Sequence, residues 1–368
     1  MATLPRRILM TADTFGGVWT YSAELARALG VRGIEIALAT MGAPLSRDQR
    51  AEARSLKNVT IFESCYKLEW MDAPWTDVDT AGDWLLRLEE TVRPDLVHLN
   101  GFAHGALPWR APLVVVAHSC VFSWWQAVKG TAAPARYCEY RGRVVAGLRG
   151  ANLVVAPTQA MLQALGEHYG PVQNGRVIPN GRNPITFVPS PKKPRILAAG
   201  RVWDEAKNIA GLAAVASHLK WPVEVAGDSR HPDGIERRFS NIRLLGPLSA
   251  QALAEGMARA AIYVLPARYE PFGLSILEAG LCRCALVIGD IPSLREVWGD
   301  AATYVSPDDE RALISAINAL IARPRHCAEM GERARRRALR FTPEAMSACY
   351  LSAYNEVIAT CKDRRVSA

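Results

Sequence analysis

The amino-acid sequence predicts an α/β chain with two doubly wound parallel sheets. Three observations carry this reading. Short β-branched runs alternate with helical stretches through the first half, a proline-rich segment with Pro179, Pro184, Pro189, Pro191 and Pro194 breaks the alternation, and the same alternation then restarts. Strands that alternate with helices of crossover length form parallel sheets with helices on both faces. At 368 residues the chain is about twice the usual ~100–200-residue domain, so two cores are expected. With 49% apolar and 22% charged residues, it is neither a disordered chain nor a small scaffold dependent on metal or disulfide support.

In the first half, strands are expected at 7–10, 34–40, 59–63, 96–100, 113–117 and 153–157, with helices at 22–32 and 80–92. After the break, strands are expected at 195–199, 223–226, 242–245, 262–265, 285–288 and 303–305. Helices fall between them, near 208–219, 249–258, 274–281, around Leu294 and at 310–322. A last helix starts at Pro343, with Thr342 as its cap and no strand after it, so it must pack on an existing surface. The domains are expected at 1–183 and 195–341, both Rossmann-like, with 184–194 as linker and 342–368 as the terminal helix.

The eight cysteines are scattered, and the one close pair, Cys282 and Cys284, lacks zinc-ligand spacing, so all are read as reduced thiols. The first ten residues hold no apolar signal core and no apolar run reaches ~18 residues, so the expected location is cytoplasmic. A net charge of +8 is compatible with nucleic acid, an anionic membrane face or a phosphorylated ligand. No nucleic-acid-binding motif accompanies the charge, which leaves nucleic acid out. The densest basic cluster, Arg333, Arg335, Arg336, Arg337 and Arg340, reads as a solvated helix face, with peripheral contact at the inner membrane face as the other reading.

Ligands of open α/β sheets bind at the carboxyl ends of strands, so function is sought in the strand-to-helix loops. Gly16 and Gly17 follow the first strand and offer backbone N–H groups at a helix start. They form no G-x-G-x-x-G fingerprint, and no acidic residue closes the second strand, which disfavours a dinucleotide dehydrogenase. His118 ends an apolar strand. In the second half Gly200-Arg201 closes a strand and Lys207 precedes a helix, a planar fork and a compact charge suited to a diphosphate. Glu270-Pro-Phe272-Gly273-Leu274, with Glu278 further along the helix, sets two carboxylates around a turn with free N–H groups. That pattern fits a polyhydroxylated, phosphorylated ligand. Trp19, Phe122, Trp124 and Trp125 lie in or after strand-end loops, where aromatic faces suit an acceptor.

The phrase from Glu270 to Glu278 resembles the E-x7-E motif of glycosyltransferase family 4, retaining enzymes of GT-B architecture. The resemblance extends over nearly the whole chain through Gly16-Gly17, His118, Asn180-Gly181, Arg201, Lys207 and the terminal helix. It implies a sugar donor carried on UDP, GDP or ADP, a hydroxyl acceptor, no bound cofactor and no bound metal. It also implies residue roles: Arg201 and Lys207 on the diphosphate, Glu278 on the ribose hydroxyls, Glu270 on the donor sugar. Backbone N–H groups of Phe272, Gly273 and Leu274 would reach sugar and phosphate, His118 would orient the sugar, and the Gly16-Gly17 loop would close over the phosphates. The first domain would hold the acceptor and the last helix would cross back onto it. One departure is Asn180-Gly-Arg182-Asn183, which lacks the acidic residue common after Asn-Gly in relatives. A nucleotide-sugar epimerase and a non-catalytic nucleotide-sugar-binding protein are the rival readings.

Overall fold

The computed structural model describes residues 4–230, 234 and 236–366, which form two compact units. The first comprises residues 1–123, 132–181 and 343–368, and the second 124–131 and 182–342. Residues 124–131, inside the first domain by sequence position, therefore group with the second unit.

From the amino terminus to residue 181 the elements run β1 (Arg7–Asp13), α1 (Gly17–Gly30), β2 (Glu35–Met41), α2 (Arg47–Ser55), β3 (Val59–Glu63), α3 (Trp75–Val92), β4 (Leu96–Leu99), β5 (Leu113–Val116), α4 (Val121–Lys129), α5 (Cys138–Gly150), β6 (Leu153–Ala156), α6 (Gln159–Tyr169) and β7 (Gly175–Val177), all in the first unit except α4, which groups with the second from residue 124. The first unit's strands are all parallel, in the order β3-β2-β1-β4-β5-β6-β7. Side chains alternate across such a sheet, so each strand feeds two cores. Ile8, Met10, Val114, Val116 and Val155 point to one face, and Leu9, Leu113, Val115 and Val154 to the other. Helices α3, α5 and α6 cover the second face through Leu85, Val144 and Leu165.

The second unit continues β8 (Lys193–Ala199), α7 (Ile209–Val215), β9 (Val223–Ala226), β10 (Arg243–Gly246), α8 (Ala250–Arg259), β11 (Ala260–Leu265), α9 (Leu274–Leu281), β12 (Ala285–Gly289), α10 (Pro292–Trp298), β13 (Thr303–Val305), α11 (Glu310–Ala322) and α12 (Pro324–Ala338). The parallel order is β10-β9-β8-β11-β12-β13. The terminal helix, α13 (Pro343–Val366), packs Met346, Tyr350, Tyr354 and Ile358 into the first unit's core beside α1.

Two expectations are corrected. Segment 184–194 is docked rather than free: Phe187 is buried in the second core, and the Lys192 ammonium donates to the carbonyls of Met257 (3.2 Å) and Cys282 (2.6 Å). The arginine cluster is not one solvated face. Arg335 donates to the Leu281 carbonyl at the end of α9, and Arg337 to those of Val297 and Glu296 at the end of α10, satisfying carbonyls that helix ends leave open. Phe122, Trp124 and Trp125 lie on α4, after the loop that leaves β5. None of the cysteines forms a disulfide among the described residues. Among the described residues no helix is long and apolar enough to cross a membrane.

Close packing of α5 on the turn after β4 depends on missing side chains. A Cβ on Gly147 would lie 1.8 Å from the Phe102 carbonyl oxygen, whereas one on Gly142 of the same helix would meet nothing within 4 Å. Gly147→Ala is expected to destabilise by about 1–3 kcal/mol or more. Gly142→Ala should stabilise by about 0.5–1 kcal/mol. Opposite shifts of the urea midpoint in the two variants would verify this, and equal shifts would contradict it.

Candidate functional site

A parallel sheet opens a crevice where strand order reverses, because the loops leaving two neighbouring strands turn to opposite faces. In the second unit that point lies between β8 and β11. Loop 200–208 leaves β8 and loop 266–273 leaves β11, and their side chains meet. The Lys207 ammonium donates to Glu270 Oε2 at 2.6 Å, a largely buried ion pair. Arg201 Nη2 donates to Asp204 Oδ2 at 2.8 Å, and its guanidinium lies 5.1 Å over the Trp203 ring.

Each of these groups is held from behind. Asp204 is buried, and its Oδ1 accepts from the Ala206 N–H (3.0 Å) and the Trp124 indole N–H (3.1 Å). Burial opposes ionisation of Asp204, but Arg201, Lys207 and the two N–H donors outweigh it and hold the carboxyl below its ordinary range. Buried Asn208 adopts a left-handed conformation (φ 54°) and donates to the carbonyls of Pro266 (3.0 Å) and Pro307 (2.7 Å). Its Oδ1 accepts from Arg268 at 2.6 Å, so one side chain stitches loop 200–208 to loop 266–273. The Ser293 hydroxyl donates to the Glu270 carbonyl at 2.6 Å.

Gly273 makes the turn into α9 at φ 90°, a region where an L side chain is strained. A Cβ there would also crowd Ile276 Cδ1 at 2.8 Å. The turn aims the first N–H groups of α9, including that of Leu274, out of the helix end. Phe272 is buried against Phe341, ring centroids 5.6 Å apart. Glu278 sits on α9 and meets Arg182 Nε through Oε1 at 2.8 Å.

In the first unit the order reverses between β1 and β4. Gly16 (φ 72°) caps α1, so the helix starts at Gly17, earlier than the sequence pattern suggests. Beside this loop, Asn100 Nδ2 donates to the Thr11 carbonyl (2.6 Å) and to Ser22 Oγ (3.2 Å). Its Oδ1 therefore faces the imidazoles of His118 (Nε2, 2.8 Å) and His98 (Nε2, 3.3 Å). This network assigns both Nε2 atoms as donors, and His98 Nδ1 accepts from the Tyr354 hydroxyl of α13 at 2.7 Å. Burial, aided at His118 by neighbouring His98, lowers the pKa of each imidazole to about 3. Both are neutral at pH 7.

Thus Arg201, Lys207, Glu270, Phe272, Gly273, Leu274 and Glu278 all lie in the second unit, on the two loops at the strand reversal and the helix that follows, while Gly16, Gly17 and His118 lie in the first. The aromatic acceptor candidates do not form one platform. Trp19 is 4% exposed and donates its indole N–H to Glu52 Oε2 at 2.8 Å, so it is core. Phe122 packs edge-on to Tyr169 at 5.6 Å. Trp124 braces Asp204, and Trp125 lies 6.0 Å from it and donates to Thr131 Oγ1 at 3.3 Å. Sequence reasoning missed Asp204, Arg182 and Asn100. Asp204 stood in plain view three residues before Lys207, but partners distant in sequence leave no local pattern.

A family model described as Glycosyltransferase Family 4 matches residues 15–184, and one described as Glycosyl transferases group 1 matches 193–323. The chain belongs to glycosyltransferase family 4. Among family relatives, O-antigen chain mannosyltransferase B of Escherichia coli is 34% identical over 124 residues, covering 30% of this chain and 32% of that one. Alpha-maltose-1-phosphate synthase of Mycobacterium tuberculosis is 25% identical over 228 residues, covering 51% and 59%. The chain thus spans about a third and about three-fifths of these two relatives' lengths. The solved structure of HepE from Anabaena, in complex with UDP and glucose, superposes with a TM-score of 0.75 at 18% identity, covering 95% of this chain and 100% of that one. The family 4 chain therefore has the GT-B fold.

The neutral histidines give stability a pH dependence. An unfolded chain protonates His98 and His118 below about 6.5, while the folded chain resists until about 3. Below pH 6.5 the unfolded state binds more protons, so stability present at neutral pH is lost progressively as pH falls from 6.5 towards 3. Urea midpoints at pH 7.5 and pH 5 should differ in the wild type and differ less in His98→Gln. An undiminished difference would show that other groups carry it.

Proposed function

We propose that this chain moves a hexose-type sugar from a nucleotide-diphosphate sugar to a hydroxyl acceptor, with retention of anomeric configuration and without a bound metal. The observation that supports the reading best is the Lys207–Glu270 pair at the strand-order reversal of the second unit, with Arg201 on the same loop as Lys207 and Glu278 on the helix that follows Glu270. Family membership supports it too, as do the sugar transfers named in its relatives and the UDP and glucose held by HepE.

The two cations would neutralise the charge that develops on the leaving diphosphate, a role that needs fixed donors rather than proton transfer by the protein. Lys207 exchanges its Glu270 partner for phosphate oxygens, and Glu270 turns to the donor sugar. N–H groups at the start of α9 share the phosphate and sugar contacts, and Glu278 takes the ribose hydroxyls. His118 keeps its Nε2 proton on Asn100 and offers neutral Nδ1 as an acceptor to a sugar hydroxyl. The acceptor oxygen bonds to the anomeric carbon on the face from which the carbon–phosphate oxygen bond breaks. The bonding pair leaves with the nucleoside diphosphate, whose departing oxygen takes the acceptor's proton. Catalysis is then mainly positioning and electrostatics.

Thermal shift with UDP, GDP, ADP and their sugar conjugates tests the donor site. A ligand at about 100 times its Kd stabilises by ~2.7 kcal/mol, and the shift should vanish in Arg201→Ala and Lys207→Ala. With the donor so identified, Lys207→Ala should lower kcat by about 10²–10³. No shift with any nucleotide would remove the transferase reading. Anomeric proton NMR of the first product tests the mechanism, with the donor's own configuration expected and an inverted product excluding same-face transfer.

A further inference from the structure

Arg182 follows Asn180-Gly181 at the start of the second unit. Its side chain is not at the surface. Arg182 and Glu278 are each 7% exposed, and Arg182 Nε lies 2.8 Å from Glu278 Oε1. The arginine is itself anchored from two directions. Its backbone N–H donates to the Phe341 carbonyl at 3.0 Å, and its guanidinium stands 5.1 Å over the Phe187 ring. Phe341 in turn meets Phe272 edge to face, beside the Gly273 turn that starts the helix carrying Glu278. Cation and carboxylate are thus tied to one rigid block.

We propose that Arg182 is a positioning residue for nucleotide recognition, which fixes the Glu278 carboxylate in the orientation that accepts the ribose hydroxyls of the donor. The proposal rests on the reading of Glu278 as the ribose ligand. A buried ion pair adds little net stability over an apolar pair of the same volume, so stability alone does not account for two charged groups at this depth. What the pair does supply is orientation. A cation fixed beside one carboxylate oxygen sets where the remaining acceptor sites of the group point. The guanidinium is suited to this because it is planar and is held over the Phe187 ring, whereas an ammonium on a flexible stem is not kept in one place. Reading a hydroxyl requires such fixed geometry, since a polar site rejects an analogue that lacks the hydroxyl only when its own groups cannot turn elsewhere.

The test is calorimetric titration of the full chain with UDP, GDP and ADP and with their 2′-deoxy counterparts. The readout is the ratio of affinities within each pair. For the nucleotide that binds, the wild type should prefer the ribose form by about tenfold or more. Glu278→Gln and Arg182→Met should each bring the ratio close to one, through weaker binding of the ribose form with the deoxy form little changed. Arg182→Lys, which keeps the charge but not the fork, should give an intermediate ratio and serves as the deciding variant if Arg182→Met does not fold. A ratio lost in Glu278→Gln but retained in the Arg182 variants overturns the role of Arg182 and leaves that of Glu278 standing. A ratio retained in Glu278→Gln overturns the ribose reading itself. Equal weakening of both forms in the Arg182 variants would make the arginine a purely structural residue and also overturn the proposal.

Discussion

Two cations gathered at the carboxyl ends of parallel strands need counter-charges while no anion is bound, and the pairs Lys207–Glu270 and Arg201–Asp204 provide them. Much of the second unit's local structure serves this requirement. Asn208 holds the loop that carries Lys207, Ser293 holds the backbone of Glu270, and Trp124 holds the carboxylate facing Arg201. The pairs differ in what they can release. In the proposed reaction Glu270 turns to sugar hydroxyls as Lys207 takes a phosphate, whereas Asp204 has two N–H donors besides Arg201. On that reading the donor replaces contacts rather than creating order.

The first unit solves a different problem, that of keeping two imidazoles inside a sheet core. Neutral histidines are tolerated there because each nitrogen that matters has a partner: Asn100 accepts from both rings, and Tyr354 donates to His98. Asn100 can accept only because Thr11 and Ser22 occupy its amide nitrogen. The tautomer of His118 is thus set by Thr11 on β1, Ser22 on α1 and Asn100 just after β4, none of which carries a recognisable functional motif.

Strand positions were legible because buried parallel strands such as Leu113–Val116 are continuous β-branched runs, and the E-x7-E phrase marked the second unit's site. Helix α2 was not legible. Its sequence RDQRAEARS offers the core only Ala53, and its start is set by a capping box between Ser46 and Gln49 rather than by an apolar stripe. Helix α4 was hidden by its aromatics, which suit a ligand platform as well as they suit a helix. In the arginine-rich stretch, composition showed charge but not direction. Arg335 and Arg337 turn inward because the ends of α9 and α10 lie against α12, a fact of packing. The same holds for Arg182 and Glu278, joined only when the chain is folded.

The placement of α13 bears on the order in which the chain becomes structured during synthesis. One face of the first sheet is finished by Met346, Tyr350, Tyr354 and Ile358, and His98 gains its Tyr354 partner from the same helix. On a ribosome, residues 182–342 emerge before that helix does. The first unit, although amino-terminal, is therefore the last to have all of its core residues available. Until the final helix is made, α1 covers that face of the sheet without the tyrosines of α13.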